Sequence, residues 1–181
     1  MENMSFEELL EINCFSNDES AKREAAEILE KYYCCEIHCA DMDRSVQFAH
    51  HGRGCIIIAA KICKDVAILQ NVTIGTNMKF NKTTDEWENI GTPIIAENVV
   101  ICDGAKILGP IVIGANSVIA AGAIITKNIP ENSIAYGVNQ YKAKDPAYDL
   151  VFSKRKSTPS GEEIMKENDK LIAEFNKFHN T

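Results

Sequence analysis

The chain has 181 residues, 45% hydrophobic and 25% charged, with a net charge of −7 at pH 7. That length suits one domain with appendages and a sizeable core. The acidic balance leaves no basic face to neutralise phosphates, which argues against a nucleic-acid binder, and no apolar stretch is long enough to span a membrane.

The N-terminus, Met1-Glu2-Asn3-Met4-Ser5, is polar and does not read as a secretory signal, so a cytoplasmic location is expected. Seven cysteines form an odd set without a paired framework, as reduced cytosolic thiols do. The cluster Cys34-Cys35-Glu36-Ile37-His38-Cys39 has none of the usual zinc-ligand spacings, and no metal is expected.

Two short helices open the chain. Ser5 with Glu8 has the form of a capping box, and Ser16 with Glu19 repeats it. The second helix carries Ala21, Ala25, Ile28, Leu29 and Tyr32 at helical spacing and should end near Cys34. Residues 35–53 read as a transition, because His38, Arg44 and His50 occupy the six-residue positions that precede the first isoleucine run.

From there a six-residue period governs the chain. Ile56, Ile62, Ile68 and Ile74 form one run, and Ile95, Ile101, Ile107, Ile113, Ile119 and Ile125 a second. A second small or aliphatic residue lies two positions before each, from Gly54 to Ala123. This period fits neither a helix nor a single strand. It fits a coil that turns a corner every six residues and stacks a column of inward isoleucines, a hexapeptide β-helix. Cys55, Cys63 and Cys102 fall inside it as packing residues.

Ile74 and Ile95 are 21 residues apart, which is not a multiple of six. The polar segment between them, residues 76–92, should leave the coil as a functional loop. Trp87 within it either anchors the loop on its own solenoid or lines an acceptor pocket. The coil pattern stops at Glu131. Asp145-Pro146 reads as a helix start, and Ser160 with Glu163 caps a last amphipathic helix with Ile164, Leu171, Ile172, Phe175 and Phe178 on one face. The expected organisation is N-terminal helices over 1–35, a β-helix over 36–144 with its excursion at 76–92, and a helical tail over 145–181. The fold class is mainly β, with short helices at both ends.

Of the four histidines, His38, His50 and His51 lie at the solenoid entry. A general base at neutral pH is most often histidine. His51 precedes Gly52-Arg53-Gly54, where glycines permit close approach of a ligand. The residues alone leave a catalytic and a structural role open for His50 and His51.

The stretch from Glu36 to Lys144 resembles the serine acetyltransferase branch of the hexapeptide-repeat acyltransferases, which fold as left-handed parallel β-helices. The resemblance rests on four segments in order: His51-Gly52-Arg53-Gly54-Cys55-Ile56-Ile57, Gln70-Asn71-Val72-Thr73-Ile74-Gly75, Gly104-Ala105-Lys106-Ile107-Leu108-Gly109 and Ile124-Ile125-Thr126-Lys127-Asn128-Ile129-Pro130. It implies that His51 is the general base and that Glu36, fifteen residues upstream in an acid-Ile-His triplet, orients it, with glutamate replacing the family's aspartate. It implies direct transfer from acetyl-CoA, used as co-substrate, to an acceptor hydroxyl. Cofactor contacts are implied at Thr76, Asp103, Ala121, Thr126, Lys127 and Lys144, and a homotrimer with the cofactor between solenoids. The family's terminal Gly-x-Pro-Ala-Lys signature is altered to Gly137-Val138-Asn139-Gln140-Tyr141.

The acceptor side also departs from the branch. Its serine-binding Asp is replaced by His50, and its Arg-His pair by Gly91-Thr92, on a chain with a short N-terminal region. The expected acceptor is therefore a sugar or surface glycan, with polysaccharide biosynthesis as the setting and His50, Trp87 and Thr92 at the acceptor site. The alternative is L-serine, with Arg53 or Lys79 supplying the lost cation. A third possibility is a non-catalytic trimeric assembly module. A carbonic anhydrase of this fold would need three metal-binding histidines, which the spacing does not supply.

Overall fold

The computed structural model describes residues 4–75, 78–147 and 161–179. It divides into two units, Met1–Leu150 and Val151–Thr181. The first unit contains a left-handed parallel β-helix of five coils with three faces. Among the described residues no helix is long and apolar enough to cross a membrane.

Two helices precede the coils. Helix α1 (Phe6–Phe15) opens with the expected capping box, Ser5 and Glu8 each satisfying the other's backbone. Helix α2 (Glu19–Ile28) is capped by Asp18, whose carboxylate accepts from Ser20 and Ala21 N–H. Ser16 is instead the C-cap of α1, and its hydroxyl accepts from the Asp18 N–H, so the second cap lies two residues later than expected. A π-helical turn, Leu29–Tyr33, follows and ends at Cys34 in the left-handed conformation. The wider turn shifts the helical phase: Ala25, Ile28 and Leu29 are buried as the spacing predicts, but Tyr32 is 51% exposed and Tyr33 packs inward instead.

The strands run in chain order as β1 (Glu36–Met42), β2 (Gln47–Phe48), β3 (Ile56–Ile62), β4 (Ala67–Ile68), β5 (Thr73–Gly75), β6 (Met78–Asn81), β7 (Glu86–Asn89) and β8 (Ile94–Ile95). They continue with β9 (Val100–Ile101), β10 (Lys106–Leu108), β11 (Val112–Ile113), β12 (Val118–Ile119), β13 (Ile124–Ile125), β14 (Ser133–Tyr136) and β15 (Gln140–Ala143). The first face stacks Ile37, Ile57, Ile74, Ile107 and Ile125 in register. The second stacks Met42, Ile62, Ile95 and Ile113, closed by a bridge to Ile129. The third stacks Phe48, Ile68, Ile101, Ile119 and Ala135. Strands β1 and β3 pass straight through the corner between the first two faces and so belong to both.

Ten isoleucines are fully buried in these columns, with one change of identity from the sequence pattern. Ile57 is inward at 0% exposure, and Ile56 points out at 42%. The supposed transition is already the first coil, with Ile37, Met42 and Phe48 as its inward residues. Nine positions separate Phe48 from Ile57, against six from Ile68 to Ile74, so the corner between them holds three extra residues and shifts the phase. The last coil runs past Ile125 to Ile129 and Ala135, and β15 then turns back antiparallel on β14 to close the stack.

The excursion is not a structureless loop. Strands β6 and β7 form an antiparallel hairpin with Phe80 opposite Trp87, ring centroids 5.3 Å apart. Trp87 is 65% exposed, so it does not anchor the hairpin on its own solenoid. Asp145 accepts from the Ala147 N–H in a turn, and the chain beyond it as far as residue 160, with the Ser160 cap, lies outside the described residues. In the second unit α3 (Gly161–His179) forms as expected, with Leu171, Ile172 and Phe175 exposed; the side chains of Ile164 and Phe178 lie outside the description.

The inward column makes a direct prediction. Ile57→Ala should destabilise the protein by about 2–5 kcal/mol, while Ile56→Ala should cost less than about 1 kcal/mol. Urea unfolding of the two variants checks the phase, and a larger loss at Ile56 would reverse it.

Candidate active site

Each coil turns from the third face to the first through a residue in the left-handed region: Gly54, Asn71, Gly104 and Gly122. Backbone bonds stack these corners, from Asn71 N–H to Arg53 C=O (2.9 Å), Gly104 to Gln70 (3.2 Å) and Gly122 to Asp103 (2.8 Å). The result is a straight edge roughly 14 Å high over three coil spacings. Gly54 also has no room for a side chain, since a Cβ there would lie 2.3 Å from Asn71 Oδ1.

The extra residues of the first corner form the turn Ala49–Gly52. His50, His51 and Gly52 all adopt left-handed backbone, at φ of 53°, 55° and 60°. Two adjacent non-glycine residues there carry a strain of about 1–3 kcal/mol each. Such strain persists only where surroundings over-determine it, and here aromatic side chains do so. The His51 ring packs 5.8 Å from Phe6 and edge-on at 5.9 Å from Tyr33, while His51 itself stays exposed. Phe6 Cζ lies 3.2 Å from where a Gly52 Cβ would stand, so α1 also seats the turn. The capping box of α1 and the turn after α2 thus hold the candidate base. Sequence reasoning missed both Phe6 and Tyr33; the only signal was that α1 begins with an aromatic residue directly after its cap.

Glu36 points out from the first face, in register with Ile56 and just below this corner. No hydrogen bond or ion pair joins it to His51 among the described residues. His50 is exposed in the same turn. Asp103 and Ala121 lie higher on the same edge, and the Asp103 carboxylate accepts from Asn71 Nδ2 at 3.0 Å. Between the two edges of the first face, Lys106 Nζ donates to Thr73 Oγ1 (2.9 Å) and to the Asn71 carbonyl (3.2 Å), a tie across coils that the sequence did not single out.

The remaining expected residues stand elsewhere. Thr126 and Lys127 follow β13 on the opposite edge of the first face, where the β6–β7 hairpin also leaves and Thr92 returns. Trp87 is on that hairpin, so within one chain neither Trp87 nor Thr92 shares an edge with His51. Thr126 is engaged twice by Asn139, which accepts from its N–H at 2.7 Å and donates to its hydroxyl at 2.8 Å. Asn139 stands in the altered end signature, so that change ties the β14–β15 turn back onto this edge. The Lys144 N–H donates to Asn132 at the edge between the second and third faces, away from Lys127. Thr76 lies outside the described residues.

Cys55 is not placed for nucleophilic work. It is fully buried, its thiol donates to the Leu69 carbonyl at 3.2 Å, and burial pushes its pKa up.

Residues 92–127 match the bacterial transferase hexapeptide family (six repeats). A putative serine acetyltransferase of Schizosaccharomyces pombe is 35% identical over 106 residues, 58% of this chain and 37% of the relative. The serine acetyltransferase of Mycobacterium tuberculosis is 33% identical over 118 residues, 64% of this chain and 48% of the relative. A solved serine acetyltransferase in complex with cysteine superposes with a TM-score of 0.62 at 26% identity, covering 79% of this chain and 54% of that one. Another in complex with CoA gives 0.54 at 27%, covering 68% and 48%. The chain spans between 37% and 48% of the length of these two sequence relatives.

Repeat, coil stacking and neighbours together define a hexapeptide-repeat protein with the left-handed β-helix fold. The likeness within that superfamily runs to serine acetyltransferases, over 58% and 64% of this chain in the two sequence relatives. The expectation of a sugar or glycan acceptor, and of polysaccharide biosynthesis, is thereby corrected, since these relatives and structures are serine acetyltransferases. That expectation rested on a few local departures at His50, Gly91 and Thr92, against a likeness spread over more than 100 residues.

The packing of the helices on the first coil is checkable through its thiols. Burial pushes Cys14 and Cys35 up to about 12, so at pH 8 the reactive thiolate is almost absent from both. Iodoacetamide on the native protein at pH 8 should modify exposed Cys34 first and reach Cys14 and Cys35 only after denaturation. Equal labelling of Cys14 and Cys34 would mean that the helices do not cover the first coil.

Proposed function

We propose that the protein is an acetyl-CoA-dependent serine O-acetyltransferase. The observation that carries this is His51, at the position of the branch's general base, exposed on a strained turn that Phe6 and Tyr33 brace. His51 takes the proton of the serine hydroxyl, and the oxygen attacks the thioester carbonyl of acetyl-CoA. The carbon–sulfur bond breaks, the proton passes to the departing thiolate, and O-acetyl-L-serine and free coenzyme A leave. No covalent enzyme intermediate is needed, in keeping with the buried, carbonyl-bonded Cys55.

Glu36 acts as the orienting carboxylate, closing on His51 as substrate binds; catalytic hydrogen bonds often tighten only in the substrate complex. Asp103, Ala121, Thr126 and Lys127 border the first face on its two edges and contact coenzyme A there, without Lys144, which stands on the third edge. The protein works as a homotrimer, because His51 and the hairpin that carries Trp87 stand on opposite edges of one face. A neighbouring copy brings the second edge to the first. All seven cysteines are free, which supports a reducing, cytoplasmic setting.

Loss of thioester absorbance on adding L-serine to enzyme and acetyl-CoA tests the activity. Saturable turnover is expected, with His51→Ala lowering kcat about 10²–10⁴-fold and Glu36→Gln causing a smaller loss. Full activity in His51→Ala would overturn the mechanism, and no turnover with serine would overturn the activity.

A further inference from the structure

The branch's cation for the serine carboxylate is replaced here by Gly91-Thr92, and a carboxylate brought to the site without a partner is costly. We propose that Arg53 binds the acceptor carboxylate and makes the enzyme selective for hydroxy acids; this rests on the serine reading above.

Arg53 is two residues from His51, so their Cα atoms are at most about 7 Å apart. Its main chain is fixed on both sides: the Arg53 N–H donates to His50 C=O at 3.3 Å, and the Arg53 C=O accepts from Asn71 N–H at 2.9 Å. The side chain is exposed on the edge that carries His51 and makes no hydrogen bond or ion pair to a described residue. Of the two acids near this corner, Asp103 is already held by Asn71, and Glu36, one coil below, makes no hydrogen bond or ion pair to Arg53. A guanidinium left over beside the base is suited to a planar carboxylate, which it grips through two parallel hydrogen bonds.

Two competing assignments fit less well. Lys79 stands on the β6–β7 hairpin, on the opposite edge and in register with Glu88. A coenzyme phosphate would also attract Arg53. The thioester, however, lies at the end of the coenzyme remote from its phosphates, and the thioester is the end that must reach His51. The group beside the base therefore faces acceptor, not phosphate.

The test compares L-serine with L-serinamide, whose carboxylate is replaced by a neutral amide, in wild type, Arg53→Gln and Arg53→Lys. Wild type should favour serine by about 10²-fold in kcat/KM. Arg53→Gln should bring that preference close to one, with KM for acetyl-CoA within about twofold of wild type, and Arg53→Lys should keep an intermediate preference. An undiminished preference in Arg53→Gln, or a rise in KM confined to acetyl-CoA, would overturn the assignment while leaving serine as the substrate. A wild type that turns over neither acceptor would instead remove the serine reading, and this inference with it.

Discussion

Coil-to-coil register is the constraint on which the rest of the structure depends. Backbone N–H groups of each coil donate to carbonyls of the coils on either side, and each face admits one large side chain per coil. A coil that gained a residue inside a face would turn its side chain from core to solvent and break the column below and above it. Change is therefore confined to corners. The longest insertion, the β6–β7 hairpin, leaves at one corner, and the three extra residues before Ile57 sit at another. Both carry candidate site residues, Trp87 on the first and His50 and His51 on the second.

The same register explains how a thin solenoid can hold a strained turn. His50 and His51 occupy left-handed backbone, which a bare coil would relax. Phe6 on α1 and Tyr33 after α2 fill the space behind them, so the short helical segment serves the site as well as the end of the stack. Above that turn the edge is rigid. Asn71 bonds to Asp103, Lys106 reaches back to Thr73, and every corner hangs from the one before. A braced histidine next to a fixed edge suits the proposed transfer, in which two substrates must meet at one end of a groove.

The coil architecture was legible because a six-residue isoleucine period has few other physical explanations. The phase of the first full coil was not, since Ile56, Ile57 and Ile58 are equivalent to any apolar pattern. Only the length of the corner, set by left-handed residues at 50–52 and 54, decides that Ile57 goes inward. The first coil was hidden because its inward residues, Ile37, Met42 and Phe48, are spaced by five and six and are not all isoleucine. The hairpin escaped notice because its one cross-strand aromatic pair, Phe80 with Trp87, sits in a polar segment. His51 was found through its neighbours in sequence. Phe6 and Tyr33 lie 45 and 18 positions away and meet it only through tertiary packing. The acceptor was misjudged for a related reason: three missing side chains outweighed a framework that the relatives share.

A braced histidine, an arginine that pairs with no described residue and a face bordered by two edges are the parts of the proposed transfer site. A crystal structure with coenzyme A and L-serine bound tests this most directly. The account predicts the coenzyme thiol and the serine hydroxyl beside the His51 imidazole, and the coenzyme running along the first face. Density for the coenzyme elsewhere, such as in the groove between α2 and β1, with the His51 turn empty, would contradict it.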